Sequence, residues 1–312
     1  MRNKERFIRY MQQQNLAEST QKHILYAVNR FLQWLGKEPE NTTKKDILDY
    51  LSHLQTHYHH QNKSRQVRLF ALRHYFACLH HHGLIASNPT AFIQIRGTRK
   101  KILYPLFDFD QLMQLIDDYH HVFIRTFDES YIPANQRIFS HLKRHRNHVL
   151  LGFFIHQGIR TREIHRIRIG HIDLNRARVH IHGQTARILP LHATQIGPLM
   201  HYLNEIRPQI LHYHTTETDQ LFLPLPESGK KTAKSTSTAT MPTTLSRQLK
   251  QISGRYRHLN QIRASVITRW IKLYGLRKAQ YMAGHKSIIT TEQYLDNDWE
   301  TLRDQIDKYN PF

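Results

Sequence analysis

Four side chains in this sequence have the chemistry to hold a phosphodiester, attack it and keep its bond energy. They are Arg160 in Gly158-Ile159-Arg160-Thr161-Arg162-Glu163, Arg263 in Gln261-Ile262-Arg263-Ala264-Ser265, His285 in Ala283-Gly284-His285-Lys286, and Tyr294 in Thr290-Thr291-Glu292-Gln293-Tyr294. A guanidinium is planar and permanently charged, so it pairs in bidentate fashion with the two non-bridging oxygens of a phosphodiester under attack. Its gain comes from positioning and charge stabilisation rather than proton transfer. A phenol supplies a nucleophile whose ester with phosphorus stores the broken bond. An imidazole nine positions ahead of it can bond a phosphoryl oxygen or handle the phenol's proton.

The rest of the composition suits DNA as the owner of that phosphodiester. Lys and Arg number 45 against 24 Asp and Glu, a formal net charge of +21 before any of 25 histidines is counted. The excess runs along the whole chain, which favours a polyanionic partner and salt-sensitive binding. At 312 residues with 39% hydrophobic content the chain can build two cores. Its longest apolar run, Val149 to Ile155, is far short of a membrane span, and no apolar segment follows the charged start as in a signal peptide. Cys78 is the single cysteine, so no intramolecular disulfide is expected and a reducing bacterial cytoplasm is the expected location. Histidines cluster at His57, His59 and His60 and at His80, His81 and His82. Neighbouring helical positions point in different directions and no cysteine or carboxylate pattern completes a site, so neither metal nor other cofactor is expected.

Helical periodicity fills the first ninety residues. Phe7, Tyr10 and Met11 mark a first helix, and a cap within Leu16 to Thr20 precedes a second with Ile24, Ala27, Val28, Phe31, Leu32 and Leu35 on one face. Thr42-Thr43 opens a third with Ile47, Tyr50, Leu51 and Leu54 inward, and a fourth runs from about Lys63 to His82, stopped by Gly83. Residues 1–95 thus form a small helical domain, and the basic stretch 96–105 reads as a linker. Residues 106–312 are mixed. Helices are expected over Asp108 to Tyr119 and over Arg137 to His156, the latter with Ile138, Leu142, Val149, Leu150 and Phe153 inward. Alternation in Arg178 to His182 and in Ala186 to Leu189, with Gly183-Gln184-Thr185 between, predicts a β-hairpin. Thr194 to Ile206 reads as helix, Glu227 to Thr240 as a low-complexity loop, and helices resume at Leu245. Thr290-x-x-Gln293 has the capping-box pattern and predicts a short helix just ahead of Tyr294, and Glu163 is placed to orient Arg160. The fold class is mainly α with a small antiparallel β component.

The late Arg, Gly-His and Tyr, preceded by Gly-Ile-Arg, resemble the tyrosine recombinase (phage integrase-like) family over residues 5 to 300, and the Gln280-Tyr281-Met282-Ala283-Gly284-His285 segment resembles a branch found on bacterial mobile elements. The resemblance implies an N-terminal helical core-binding domain and an α+β catalytic domain. It implies Tyr294 as nucleophile, a 3′-phosphotyrosyl intermediate, Arg160 and Arg263 as the phosphate clamp, and no need of metal or ATP. It also implies binding to double-stranded DNA as a dimer per site and a tetramer in synapsis, with the C-terminal tail packed on its own domain or on a neighbour. Two positions depart from the pattern. The family's hairpin lysine is absent from a turn about two residues short, which leaves Gln184, Arg187, Lys230 or Lys231 as candidates for its role, and Asn260 stands where a histidine is usual, with His258 two residues earlier. Asn260 can donate a hydrogen bond but not shuttle a proton. Lys63, Arg65, Arg68 and Arg73 on the fourth helix, and Lys143, Arg144 and Arg146 ahead of Val149, are candidate phosphate contacts. The alternatives are a weakened member that binds a specific DNA sequence without cutting, and a type IB topoisomerase.

Overall fold

A computed structural model describes residues 4–97, 105–226 and 240–295. The chain divides into two compact units, residues 1–102 and 103–312, and the division falls inside the segment expected to link them.

The first unit is a bundle of four helices: α1 (Lys4–Gln13), α2 (Glu18–Leu35), α3 (Lys44–Thr56) and α4 (Asn62–His81). Each buries one stripe, because each repeats its apolar residues at three and four positions. Phe31 of α2 sits at the centre, edge-on to Tyr50 of α3 at 5.0 Å and to Phe76 of α4 at 6.0 Å. Phe7 of α1 meets Tyr75 of α4 at 5.3 Å. The start of α3 is fixed by a reciprocal cap: Asp46 N–H donates to Thr43 Oγ1 at 3.3 Å, and Thr43 N–H donates to Asp46 Oδ2 at 2.6 Å. The cap expected ahead of α2 is absent, since the capping position is Ala17, which has no side-chain acceptor.

The second unit is built around two helices. α5 (Phe109–His120) starts at an Asp108–Gln111 capping box and passes into a π-helical turn at His121–Arg125. α6 (Ala134–His156) follows; its second half is buried all round, with Leu150, Leu151, Phe153 and Phe154 inside. Ile138, expected inward, lies in its exposed first half. A 3₁₀ turn at Thr161–Arg166 leads to an antiparallel sheet of β1 (Ile172–Asp173), β2 (Arg178–Ile181) and β3 (Arg187–Pro190) in that order. Ile181 pairs with Arg187, which confirms the expected hairpin, while β1 is too short for its alternation to have shown. Next come α7 (Ala193–His201), with Pro198 in its second turn, a π-helical turn at Tyr202–Ile206, and α8 (Arg207–Leu211). After α9 (Thr240–Ile252), α10 (Leu259–Ala283) is the second central helix, broken at Gly275, and α11 (Ile288–Glu292) ends the described chain.

The polar residues inside α10 are all bonded. Ser265 Oγ accepts Phe107 N–H at 2.9 Å, and Gln261 donates to the carbonyls of Pro105 and Arg255 at 2.7 and 3.1 Å while accepting Arg257 N–H at 2.7 Å. A buried polar group left without such a partner would cost about 1–3 kcal/mol. These bonds therefore fix how the chain enters the unit and where the first turn of α10 lies. The low-complexity loop 227–239 and the tail beyond residue 295 lie outside the described residues.

Three α6 histidines are held neutral, chiefly by burial: His145 is pulled down to about 3, His148 to about 4 and His156 to about 4, with neighbouring histidine or arginine charges adding to the effect. An unfolded histidine binds its proton near pH ~6.5. Their folded values are lower, so the stability they permit is complete above that pH and is lost as pH falls toward about 4. Urea denaturation is expected to show a falling midpoint from pH 7 to pH 5, and a shallower fall in His148→Gln; equal slopes would remove His148 as a source.

Candidate active site

Arg160 stands where α6 gives way to the 3₁₀ turn. The chain reverses at Gly158, whose φ is +51° and whose Cβ, if it had one, would lie 3.1 Å from Trp270 and 3.2 Å from Val266. Only glycine combines that backbone with so close an approach to α10. Two residues on, Arg160 N–H donates to Glu163 Oε2 at 2.8 Å, and its guanidinium reaches Glu163 Oε1 at 3.3 Å and donates to the Gly284 carbonyl at 2.7 Å. Glu163 orients Arg160 through backbone and side chain together.

Glu163 has a second and closer partner. Arg187, at the start of β3 and 3% exposed, donates from Nη1 to Glu163 Oε1 at 2.9 Å and from Nη2 to Oε2 at 3.0 Å. Its Nε donates to the Met282 carbonyl at 2.8 Å. Burial pushes the Glu163 carboxyl up, but the hydrogen bonds and charges of Arg187 and Arg160 outweigh burial and hold it below the usual carboxylate range. With its donors committed in this way, Arg187 is structural and not a free proton donor for a leaving group. That corrects its candidacy for the role of the absent lysine.

Arg263 projects from the first half of α10 and is 5% exposed. It donates to the carbonyls of Gly158 and Ala283, the latter at 2.7 Å, and faces His285 Nε2 at 3.2 Å. Burial and then the nearby Arg160 lower its pKa to about 10, which still leaves it charged at neutral pH. His285 follows Gly284, the left-handed C-cap of α10. A Cβ on Gly284 would lie 2.7 Å from Arg187 Nη1 and 2.9 Å from Thr185 Oγ1, so the glycine lets the hairpin close on the end of α10. Burial first, then Arg263, Arg160 and Arg187, lower the pKa of His285 to about 4, so its ring is neutral at pH 7. Its Nδ1 is 2.9 Å from Thr291 Oγ1, and its ring stacks on that of Tyr294 at 5.5 Å.

Tyr294 comes just after α11, its N–H bonded to the Thr291 carbonyl at 3.0 Å and its own carbonyl accepting from Thr268 Oγ1 at 3.3 Å. The helix ahead of it, Ile288–Glu292, is capped at Ser287 and not at the expected Thr290. Tyr294, Arg160, Arg263 and Asn260 line one open cleft of about 340 Å³, together with Thr161 and Arg162, which sequence reasoning had not singled out. A second cleft shares Thr161 and Asn260 with it and carries Arg247 and Lys250. His258 caps α10 by accepting Gln261 N–H at 3.1 Å. Among the described residues no group of three or more His, Cys, Asp or Glu is placed to hold a metal ion.

Two of the candidate phosphate contacts are corrected. Arg144 and Arg146 are 5% and 3% exposed. Arg144 bonds Ser140 Oγ and Glu129 and lies 3.8 Å over the Phe127 ring; Arg146 bonds the Leu223 carbonyl at 2.9 Å and Asn147 Oδ1 at 3.0 Å. Lys143 is half-buried beside Arg146 and Arg247, and burial leads those charges in lowering its pKa. On α4, Lys63 is exposed, Arg65 bonds Asn62 Oδ1 at 2.7 Å, Arg68 lies over the Tyr26 ring, and Arg73 bonds the Ile93 carbonyl. Gln184 is exposed at the hairpin turn, and Lys230 and Lys231 lie outside the described residues.

A helical first unit, a mainly helical second unit with a small sheet, and a cleft that gathers two arginines and a tyrosine define a DNA strand transferase of the tyrosine recombinase class. The chain belongs to the phage integrase family: that family's model matches residues 133–300, and the model of the phage integrase N-terminal SAM-like domain matches residues 4–80. Tyrosine recombinase XerC of Alcanivorax borkumensis is 24% identical over 289 residues, covering 89% of this chain and 83% of that one. XerC of Oceanobacillus iheyensis is 24% identical, covering 98% and 94%. Among solved structures, XerH site-specific recombinase bound to palindromic difH substrate superposes with a TM-score of 0.67 at 17% identity, covering 93% of this chain and 80% of that one. A lambda integrase dimer bound to a COC′ core site gives 0.63 at 14%, covering 94% of each. The Tn1549 transposon integrase with circular intermediate DNA gives 0.60 at 11%, covering 96% and 98%.

The Glu163–Arg187 pair makes a direct prediction. Arg187→Met removes the main partner of a buried carboxylate and is expected to lower the unfolding free energy by about 3–5 kcal/mol. Adding Glu163→Gln removes the stranded charge, so urea denaturation of the double variant is expected to show less loss than the two single losses added together. Strict additivity would mean that the two groups do not act as a pair.

Proposed function

We propose that the protein is a site-specific recombinase that cuts and rejoins double-stranded DNA through Tyr294. The observation that carries this reading is one cleft lined by Arg160, Arg263, Asn260 and Tyr294, with His285 stacked on the tyrosine. Arg160 and Arg263 clamp the two non-bridging oxygens, and Asn260 donates a further hydrogen bond. Tyr294 attacks phosphorus, the 5′-oxygen leaves, and a 3′-phosphotyrosyl ester keeps the bond energy for rejoining. His285 is neutral, which suits it to accept the Tyr294 proton. Gln184 has no proton to give and Arg187 is committed to Glu163, which leaves Lys230, Lys231 or solvent water as the source of the proton for the 5′-oxygen.

The flanking DNA backbone would run along the second cleft, where Arg247 and Lys250 adjoin Asn260. The relatives crystallised on DNA as a dimer and as a Holliday-junction tetramer support the same assembly for this chain. The transposon integrase among them supports service to a bacterial mobile element.

A nicked suicide substrate carrying the bound site tests the chemistry. Wild type is expected to form a covalent protein–DNA adduct, Tyr294→Phe to form none, and Arg160→Ala or Arg263→Ala to slow it by roughly 10²–10³-fold. Absence of an adduct from wild type on a site it binds would favour a DNA-binding member that does not cut, and relaxation of supercoiled DNA lacking the site would favour a topoisomerase. The DNA path is tested separately: Arg247→Gln with Lys250→Gln is expected to reduce the slope of log K against log salt by about 0.9 for each phosphate no longer neutralised. An unchanged slope would move the backbone elsewhere.

A further inference from the structure

Phe92 is the most exposed large apolar side chain among the described residues, at 95%, and its backbone sits in the left-handed region with a φ of +60°. Exposure of one apolar residue is ordinary, but a bulky side chain held at positive φ is not. The loop that holds it is firmly built. Asn88 Oδ1 accepts Thr90 N–H at 2.9 Å and Thr90 Oγ1–H at 2.6 Å, and Thr90 is 1% exposed. Ala91 N–H donates to the Asn88 carbonyl at 3.0 Å, and the buried Ile93 offers its carbonyl to Arg73. Packing on both sides fixes the strained residue and leaves its ring in solvent, which points to a role outside folding.

The neighbouring residues indicate what that ring meets. Burial alternates after it, with Ile93 buried, Ile95 half-buried, and Gln94 and Arg96 exposed, which is the period of an extended chain. This strap is tied to the start of α4: Asn62 Nδ2 donates to the Arg96 carbonyl at 2.8 Å, while Asn62 Oδ1 accepts Arg65 Nη2–H at 2.7 Å. Lys63, the next residue of α4, is exposed. An apolar ring, an amide and two cations thus share one short edge of the first unit. The major groove of DNA takes a helix or a paired ribbon. A single extended segment carrying arginine, glutamine and an apolar wedge suits the narrower minor groove.

Resting on DNA as the partner in the reading above, we propose that Phe92 is a DNA-contact residue that packs against the bases of the minor groove, with Arg96 and Lys63 on the phosphates beside it. Binding takes out of water a ring that the free protein leaves exposed. The contact is apolar and releases no counterion, whereas each phosphate held by a cation does. Ring and cations must therefore respond differently to salt. A second copy of the chain seated on the ring is the competing occupant, but it gives no reason for two cations to flank the ring.

Three variants and an A·T-rich duplex labelled with fluorescein test this. Phe92→Gly removes the ring and suits the left-handed backbone. It is expected to weaken duplex binding about tenfold, the scale of one lost base–aromatic contact. The slope of log K against log salt is expected to stay unchanged, and the urea midpoint to equal or exceed that of wild type. Arg96→Gln, by contrast, is expected to reduce the slope by about 0.9. A lower urea midpoint in Phe92→Gly would assign the ring to folding, and unchanged affinity or a changed slope would remove it from the bases; each overturns the proposal.

Phe92→Trp places an indole at the same point, read by fluorescence against the three native tryptophans of wild type. The duplex is expected to shield it from acrylamide, and netropsin, which fills the minor groove at A·T steps, is expected to restore quenching. Shielding that grows with protein concentration in the absence of DNA would show a second copy on the ring. Shielding that survives netropsin would place the ring elsewhere on the duplex, and either result sinks the minor-groove contact. None of these measurements requires cleavage. Wild type that gives the expected pattern but forms no covalent adduct would sink the reading of Tyr294 and leave Phe92 in place.

Discussion

The site depends on one buried carboxylate shared by two arginines. Glu163 sits on the 3₁₀ turn, Arg187 on β3, and their contacts extend through Arg160 and Arg187 to the carbonyls of Gly284 and Met282 at the end of α10. Three segments far apart in sequence are thus tied at one point. Burial opposes the charge on Glu163 and also lowers the pKa of Arg160, and the carboxylate stays ionised through its hydrogen bonds and charge contacts with Arg187 and Arg160. The ion cluster is self-consistent only when all three segments are in place. Its net stabilisation is therefore modest, while the cost of removing one member is large. Such an arrangement fixes geometry more than it adds stability, and geometry is what a phosphate clamp requires.

The same economy governs Arg263 and His285. Before any phosphate arrives, Arg263 is occupied by the carbonyls of Gly158 and Ala283 and by His285 Nε2. The Ala283 carbonyl lies at the end of α10, where helical carbonyls have no partner within the helix, and the Gly158 carbonyl lies in the turn just after α6. The arginine satisfies them and is held straight by them. On the proposed reading, a phosphate entering the cleft would meet only the remaining donors, and the guanidinium would not need to reorganise to receive it. Gly158 and Gly284 are the enabling residues, since both turns carry positive φ and both pass too close to a neighbour for a side chain.

The family was legible in the sequence because the order and chemical types of its motif residues are rare in combination, and the helices were legible from apolar period even where, as at α2 and α11, the expected cap is absent or displaced. What could not be read was pairing through space. Arg187 stands in an alternating strand segment like any solvated arginine, yet its register opposite Ile181 turns it into the core. Thr291 is one of two adjacent threonines, and only the fold decides which faces His285. Arg144 and Arg146 misled for the converse reason: their half of α6 is buried all round, so the apolar face seen by period was only part of the buried surface. Their partners Glu129, Phe127 and the Leu223 carbonyl come from irregular segments that carry no period at all.

The departures at Gln184 and Asn260 also make physical sense once the neighbours are in view. Asn260 precedes Arg263 by nearly one turn of α10 and lines the same cleft, so its amide can donate to a phosphoryl oxygen without changing charge. Burial and then the neighbouring Arg160 already depress the Arg263 pKa, so a donor that carries no charge adds no further repulsion there. The amide keeps the donor and avoids that repulsion. At the hairpin, Arg187 cannot turn outward to replace a lysine without abandoning Glu163, and abandoning Glu163 would release Arg160. On the proposed reading, a proton for the leaving oxygen would come from outside the buried ion cluster, from Lys230, Lys231 or water in the open cleft. On the proposed reading, charge stabilisation would belong to arginines that stay charged at neutral pH, beside a histidine that burial and those charges hold neutral.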